Sequence, residues 1–434
     1  MTKKKQHILL LDSLSNFLSS FSNRSGNYVL IASIVSRLLS FFASWIALQI
    51  ISDKDLGVVI YAFQFILFIS PIASMGLNQG LIRYGSLLKT IEDKNKLFSF
   101  ILRKGLIITG LFTLATILIS FGFQFETPKV SFYLRLLSLA FITQFLFEIL
   151  QIQFRLHKKN KIFAYTEITY NLILVFLVFV LSYFFNELGY AIALIITPLF
   201  TFLLFIKHIN FNIKQKIKFH FVDYTFWRYS FFASMSNVTT ILLVSIDIIL
   251  IGFITSNMEL VTAFKYLSII PFSILFLPRA FMATDFVLFT EKIMDKNFIY
   301  NYIKNYVILF SAVSIGFLII ILLLGEFILA IFDSSYTIYY STLVVLTIGI
   351  SGILILRGIF GNLLSSIGKS HINFIIIFIA VVLNIILNYL LIPIYGIFGA
   401  AITSAFLMWF TGVLCMVFFF YYYNKLIITS QKNI

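Results

Sequence analysis

Long apolar runs separated by short polar segments extend along the whole chain. A helix needs roughly 20 apolar residues to cross the hydrocarbon core of a bilayer, and these runs have about that length. The predicted spans are residues 28–50, 56–81, 102–121, 131–154, 163–184, 188–206, 225–251, 260–289, 305–324, 338–357, 372–392 and 397–422. The pattern therefore predicts an all-α integral membrane protein with about twelve transmembrane helices.

Composition agrees with this class, because 60% of the residues are apolar and only 11% are charged. The formal net charge of +15 comes mainly from short loops between spans, so it indicates membrane topology rather than nucleic-acid binding. A single cysteine, Cys415, excludes an intramolecular disulfide.

The distribution of the 32 Lys and Arg residues predicts the orientation of the chain. Five of them lie well inside predicted spans, and only Lys54 and Lys129 fall in the odd-numbered loops. The other 25 lie in the even-numbered loops, at the span ends that adjoin those loops, and in the two termini, which therefore share one side. Because cytoplasmic loops carry an excess of Lys and Arg, both termini are predicted to be cytoplasmic.

The longest gap between spans divides the chain into two halves. A basic cytoplasmic linker at 207–224 separates an N-terminal six-helix bundle, 28–206, from a C-terminal six-helix bundle, 225–422. A cytoplasmic tail follows at 423–434. Residues 1–27 are predicted to be a cytoplasmic amphipathic helix on the membrane surface, with a frayed tail as the alternative.

The two halves repeat each other in register at three places. Ser52 to Leu56 corresponds to Ser256 to Leu260, each between the first two spans of its half. The other matches are Lys159-Asn160-Lys161 with Lys369-Ser370-His371, and Gly189-Tyr190-Ala191-Ile192 with Gly399-Ala400-Ala401-Ile402. An even number of spans in each half predicts a parallel repeat, and such repeats frame a central substrate path in many transporters.

Residues that would support catalysis or metal binding are not grouped in the sequence. All five histidines occur singly in the N-terminal tail or the loops, so neither a zinc site nor a nucleophile with its base is predicted. We expect no enzymatic activity, no metal and no cofactor. A membrane polymerase or acyltransferase is the enzymatic alternative. Such enzymes usually need a large outer loop or a membrane-embedded His or Asp site, whereas the predicted outer loops of this chain are short and contain no histidine.

Ionisable residues inside the spans are the remaining candidates, because such residues are costly in a bilayer and mark function. Arg37 and Arg279 lie deepest and are predicted to line a substrate cavity. Lys265 is placed near Asp247, with which it forms either a salt bridge or part of the transport site. Arg357 lies near the inner end of its predicted span, where snorkelling to the headgroups and a cavity position are both open.

The embedded carboxylates are Glu148, Glu167, Asp247 and Asp285. Glu148 and Glu167 are expected on neighbouring helices, where they can share a proton or cation, or face the basic loop beside them. Cations slightly outnumber carboxylates in the spans, which favours an anionic substrate such as a phosphate-bearing head group. Helix kinks are predicted at Pro71, Pro271 and Pro278.

The chain resembles the Wzx-type O-antigen flippases of the multidrug, oligosaccharidyl-lipid and polysaccharide exporter (MOP) superfamily. The resemblance covers nearly the whole length. Its local carriers are Ile51 to Gly57, the stretch from Gly76-Leu77 to Arg83-Tyr84, and Ile246 to Gly252. It implies two six-helix bundles in a V around a cavity that opens alternately to each side, as in the related MATE transporters.

The resemblance also implies a cargo and a location. Members of the family are expected to carry undecaprenyl-pyrophosphate-linked oligosaccharide, an O-antigen or capsule repeat unit, across the bacterial cytoplasmic (inner) membrane. The resemblance implies coupling to H+ or Na+, and partners among membrane lipids, the polysaccharide polymerase and the chain-length machinery. A MATE-like multidrug or cation antiporter is the alternative, and in it Asp247 would bind the cation.

Overall fold

The computed structural model describes residues 26–122, 128–209, 222, 224–278, 281, 289 and 292–432. All regular elements within these residues are helices, as predicted. From the first to the sixth predicted span they are α1 (Gly26–Ile50), α2 (Asp53–Ala73), α3 (Leu77–Leu87), α4 (Ile91–Gly122), α5 (Pro128–Leu137), α6 (Ala140–Leu156) and α7 (Asn160–Phe205), with a 3-10 turn at Ile206–His208.

The remaining elements continue the same pattern. They are α8 (Tyr224–Thr255), α9 (Met258–Ser273), α10 (Lys296–Phe332), a 3-10 turn at Ser334–Tyr339, α11 (Tyr340–Gly352), a π-helical turn at Ile353–Arg357, α12 (Gly358–Ser366), α13 (Ser370–Tyr395) and α14 (Ile397–Lys432). These helices form two compact units, one of them comprising Ile31–Lys265 and the other Tyr266–Ile434 with the start of α1.

Nine helical segments within the described residues are long and apolar enough to cross a membrane. One of them, Asn160–His208, contains both the fifth and the sixth predicted spans. It is broken at Asn186, where φ is 49° and ψ is −129°, and the chain reverses so sharply that a Cβ on Gly189 would lie 2.0 Å from the Leu181 carbonyl oxygen. The protein is therefore a multi-pass membrane protein. The seventh and eighth spans correspond to α8 and α9.

The predicted repeat is present in the backbone geometry. Gly396 has φ 58° and ψ −139°, close to the values of Asn186, and a Cβ on Gly399 would lie 2.5 Å from the Leu391 carbonyl oxygen. Residues 186 and 396, like 189 and 399, are 210 positions apart. The two halves therefore use the same tight turn between their last two spans.

A second turn repeats at the same offset. The amide of Lys159 donates to the Phe154 carbonyl at 2.9 Å, and the amide of Lys369 donates to the Leu364 carbonyl at 2.9 Å. The preceding residues, Lys158 with φ 57° and Gly368 with φ 77°, are both left-handed. The internal repeat predicted from short sequence matches is therefore present in the backbone of two turns, one matched by its dihedral angles and one by its hydrogen bond.

Helix α8 packs along α2 and α3 within the first unit through glycines. A Cβ on Gly76 would lie 1.8 Å from the Ser230 carbonyl oxygen, and a Cβ on Gly252 would lie 2.4 Å from the Tyr61 ring. Because lipid supplies no hydrophobic force between helices, close backbone approach at small residues is the main source of such contacts. The seventh predicted span therefore packs against the second, although the predicted domain boundary falls between them in sequence.

Polar contacts in the first unit separate the odd-numbered loops from the even-numbered ones. At one end the Lys129 ammonium reaches Asp55 at 2.7 Å and Glu187 at 3.2 Å, which joins the first, third and fifth loops. At the other end Lys94 donates to the Leu156 carbonyl at 3.0 Å and Lys159 to the His208 carbonyl at 3.2 Å. This is the alternation that six spans require. The cytoplasmic location of the even-numbered loops stays a prediction.

Candidate functional site

Arg37 occupies the middle of α1, eleven residues after Gly26, and its side chain is exposed. Eleven residues of helix correspond to about 17 Å, so the backbone of Arg37 lies deep in the span. A charged group facing hydrocarbon at that depth costs several kcal/mol, and arginine stays protonated. An exposed arginine at this position is best accommodated on a surface that water reaches.

Glu167 supplies a counter-charge to Arg37. It lies in α7, seven residues after Asn160, and is half-buried. The positive charges of both Arg37 and Arg155 act on its carboxylate. The fold therefore brings the charges of residues from the first span, the fourth loop and the fifth span near one another, and Arg37 and Glu167 are the two that the sequence predicts as site residues.

Glu148 has different partners from Glu167. It lies at the centre of α6, is exposed, and accepts a hydrogen bond from the side-chain amide of Asn78 near the start of α3. Its charge also acts on Tyr170, whose ring stacks on Phe147 with centroids 4.6 Å apart. The predicted sharing of one proton or cation between Glu148 and Glu167 stays a prediction.

Asn78 is oriented by a break in the second predicted span. Helix α2 ends at Ala73, two residues after Pro71, and Met75 and Gly76 have positive φ angles of 46° and 71° before α3 begins. The Oδ1 atom of Asn78 is buried and has no hydrogen-bond partner among the described residues. The amide oxygen of Asn78, next to the amide nitrogen that donates to Glu148, therefore accepts no hydrogen bond from the described residues.

The corresponding span of the other half is interrupted in the same way. Helix α9 contains Pro271 and ends two residues later at Ser273, and a turn at 274–275 follows before helix resumes at 276–278, where Pro278 lies. Lys265 is half-buried in α9, whereas Asp247 is buried in α8. Their pairing stays a prediction, and the predicted site residues Arg279 and Asp285 lie outside the described residues.

Sequence reasoning missed Asn78 and gave Arg357 too shallow a position. The tenth span was predicted to end at 357, but helix continues through a π-helical turn and α12 to Ser366. Within this continuation the side-chain amide of Asn362 donates to the Gly358 carbonyl at 2.7 Å. Arg357 therefore lies nine residues inside the helix end, about 13 Å along its axis.

Metal binding is not indicated by the described part of the chain, which contains no group of three or more His, Cys, Asp or Glu side chains placed to hold an ion. In the middle of the first unit, the ionisable residues that it brings near one another are arginines and a carboxylate. Such an arrangement can bind oxyanions and exchange protons or small cations, and it offers no activated nucleophile.

Solved structures with this fold are transporters. The chain matches the lipid II flippase MurJ in an inward closed conformation with a TM-score of 0.70, 20% identity and coverage of 90% of this chain and 86% of that one. It matches an inward-facing multidrug resistance MATE transporter of the MOP superfamily with a TM-score of 0.69, 14% identity and coverage of 92% and 99%. At these identities the matches establish the fold.

A third match carries a description of its own binding pocket. It is a MOP superfamily transporter from Pyrococcus furiosus, described as having a pocket of reverse polarity, with a TM-score of 0.67, 14% identity and coverage of 93% and 95%. No curated protein sequence matches the chain. The expectation that the chain is not an enzyme agrees with these neighbours, which are transporters and flippases.

The family is identified by a match over half of the sequence. The model of a family described as polysaccharide biosynthesis protein matches residues 46–266, from the end of α1 to the middle of α9. The matched region includes Asn78, Glu148, Glu167 and Arg155. With the fold of the MOP superfamily transporters, the chain belongs to the polysaccharide biosynthesis protein family.

Proposed function

We propose that the protein is a flippase that moves undecaprenyl-pyrophosphate-linked oligosaccharide, an O-antigen or capsule repeat unit, from the inner to the outer leaflet. The membrane is the bacterial cytoplasmic membrane, with both termini in the cytoplasm. Family membership and a transporter fold support this activity, since polysaccharide assembly on a lipid carrier needs a membrane crossing step.

The observation that carries the proposal is Arg37, an exposed arginine at mid-span with Glu167 as counter-charge. A guanidinium presents paired donors to phosphate oxygens, and a pyrophosphate gains most from such a group where little water competes. Glu167 balances the arginine when no cargo is bound. We propose that the cargo phosphates displace this interaction during each transport cycle, with Arg279 and Lys265 as further cargo contacts.

Ion coupling is proposed at Glu148. Its carboxylate is exposed at the centre of α6 and is held by an amide rather than by a cation. A carboxylate without a fixed positive partner can take up H+ or Na+, which would then drive the return of the empty carrier. Asp247 and Asp285 are secondary candidates for the same role.

Deletion of the gene followed by measurement of surface polysaccharide tests the flippase. The lipid-linked repeat unit should accumulate on the inner leaflet, where a membrane-impermeant glycosidase added to intact spheroplasts does not reach it. Complementation with Arg37→Ala should restore little polysaccharide. Arg135 stacks on the ring of Phe121 at 4.4 Å, and the control variant Arg135→Ala should restore polysaccharide fully. Normal polysaccharide in the deletion strain together with new drug sensitivity would favour the multidrug antiporter.

A further inference from the structure

Arg357 is a deep charge in the second unit that the proposed transport cycle does not use. It ends the π-helical turn Ile353–Arg357, nine residues before the end of α12. In the first unit, Glu148 lies eight residues before the end of α6. The ends of α6 and α12, at 156 and 366, are 210 positions apart, which is the offset of the repeat. The two halves therefore carry opposite charges at nearly the same depth.

The guanidinium of Arg357 is incompletely satisfied. The side chain is half-buried, and its Nη1 atom is buried with no hydrogen-bond partner among the described residues. No described carboxylate lies within 4.0 Å of it. Arginine does not escape this cost by losing its proton, so a guanidinium at this depth that has no counter-charge among the described residues favours binding of an anion.

The atoms around Arg357 include a second unsatisfied polar group. The hydroxyl of Tyr306 is buried without a hydrogen-bond partner among the described residues, and it would lie 2.8 Å from a Cβ on Gly358, the residue after Arg357. The thiol of Cys415 lies close enough to interact electrostatically with the guanidinium. This thiol donates to the Asn373 side-chain oxygen at 3.5 Å. The polar groups named here, all within the described part of the chain, are neutral side chains.

The backbone that carries Arg357 is fixed in place. A Cβ on Gly412 would lie 2.9 Å from the Leu356 Cβ and 3.3 Å from the Arg357 nitrogen, so α14 packs directly on the π-helical turn. A Cβ on Gly352 would similarly meet the Trp409 Cα at 2.9 Å. Single π-helical turns inside α-helices occur frequently at functional sites, where they redirect a side chain.

From these contacts we infer that Arg357 binds an oxyanion of the phosphate class, with the Tyr306 hydroxyl as an additional donor. A phosphate offers several acceptor oxygens to the paired donors of a guanidinium and supplies the missing negative charge. The ligand is either a phospholipid headgroup or the phosphate of the lipid-linked cargo. The site goes beyond the proposed function, because Arg37, Arg279 and Lys265 are not needed to form it.

The test uses full-length protein in neutral detergent with Arg37→Gln and Arg279→Gln as the background, so that the two arginines proposed to bind the cargo contribute nothing. Inorganic pyrophosphate is titrated while the thermal unfolding midpoint is measured. A saturable rise is expected, and adding Arg357→Gln should weaken the apparent affinity at least about tenfold. Arg357→Lys should keep part of it, and the matched control Arg135→Gln should keep all of it.

Lipid titrations then distinguish the two sources of phosphate. Pyrophosphate should raise the midpoint in either case, and its failure to do so would contradict the inference. Micelles doped with phosphatidylglycerol should raise the midpoint in the same Arg357-dependent way if a headgroup is the ligand, and should leave it unchanged if the cargo is the ligand. An equal rise with and without Arg357→Gln would overturn the inference. Asp285→Asn provides an independent check. If adding Asp285→Asn to Arg357→Gln restores the thermal midpoint, Asp285 is the counter-charge of Arg357, and the inference that an anion binds there is wrong.

Discussion

The hydroxyl of Thr262 donates a 2.7 Å hydrogen bond to the backbone carbonyl of Asp53, so that the starts of α9 and α2 contact each other. These are the segments that the repeat makes equivalent, and each begins with a side-chain cap. Ser52 accepts from the Asp55 amide at 3.3 Å, and the Asn257 side chain accepts from the Glu259 amide at 2.9 Å. Two copies of one motif therefore pack against each other within the first unit.

Gly57 makes this contact possible, because a Cβ there would lie 2.0 Å from the Met258 carbonyl oxygen. We expect Gly57→Ala to destabilise the protein by about 1–3 kcal/mol through overpacking against backbone that does not yield. The thermal midpoint in detergent measures the effect. Gly110→Ala is the matched control, since nothing lies within 4 Å of its Cβ position, and it should be neutral or slightly stabilising. Equal midpoints for the two variants would contradict the prediction.

Arg37 is expected to act through its paired donors as well as its charge. Arg37→Ala should reduce flipping of the lipid-linked cargo by about tenfold or more, and Arg37→Lys should recover only part of it because an ammonium lacks the planar fork. Flipping in proteoliposomes, read by protection of a fluorescent lipid-linked sugar from a membrane-impermeant quencher, gives the rate. Full activity in Arg37→Ala would remove this residue from the cargo path.

Glu167 is expected to affect how tightly the cargo is bound and how fast it is released. Glu167→Gln leaves Arg37 and Arg155 without their shared carboxylate. Stronger binding of pyrophosphate is expected, since the cargo no longer displaces a counter-charge, together with slower turnover because release is impeded. Equilibrium binding and the transport rate should therefore change in opposite directions, whereas a merely structural defect would lower both.

Glu148 and Asn78 form a pair that can be tested by exchange. Asn78→Asp places a second carboxylate beside Glu148, and like charges at hydrogen-bond distance are destabilising. Adding Glu148→Gln should restore stability by removing one of the two charges. If Glu148 carries the coupling ion, Glu148→Gln alone should leave pyrophosphate binding intact while abolishing the dependence of flipping on a proton or sodium gradient. Persistence of that dependence would reassign the coupling ion to another residue.

His157 links stability to pH at the end of α6. Partial burial and the nearby positive charges of Lys159 and Lys94 lower its pKa in the folded protein, and Gln153 lies 3.0 Å from its Nε2 atom. As pH falls below about 6.5, the unfolded chain gains a proton at this histidine before the folded protein does, so stability decreases. His157→Gln should flatten the thermal midpoint between about pH 6.5 and 5. An unchanged pH dependence in His157→Gln would contradict the prediction.

Much of the architecture follows from local patterns. Apolar runs predict the spans, because a helix must be about as long as the bilayer is thick. The sharp turn at Asn186 and its counterpart at Gly396 lie where short polar breaks separate two runs. Arg37 was identified for the same reason, since a charge in the middle of an apolar run is detectable without knowing its neighbours.

The partners of these charges were not predictable in the same way. Asn78 meets Glu148 across 70 residues, and nothing local to either position signals the other. Arg357 lies deeper than predicted because helix continues past the end of the predicted span to Ser366, where the side-chain amide of Asn362 bonds a helix carbonyl. The extra residue of a π-helical turn has no sequence signature comparable with a hydrophobic period.

The sequence alone determined that the protein lies in a lipid bilayer, how many spans it has, and that its two halves repeat each other. It could do so because burial in lipid constrains each residue through its own side chain. Only the tertiary structure decided which charges share a partner and which do not. The positive charges of two arginines act on Glu167, an amide donates to Glu148, and no described carboxylate lies within 4.0 Å of Arg357. Electrostatic energy depends on distances between helices far apart in the chain, and those distances exist only after packing.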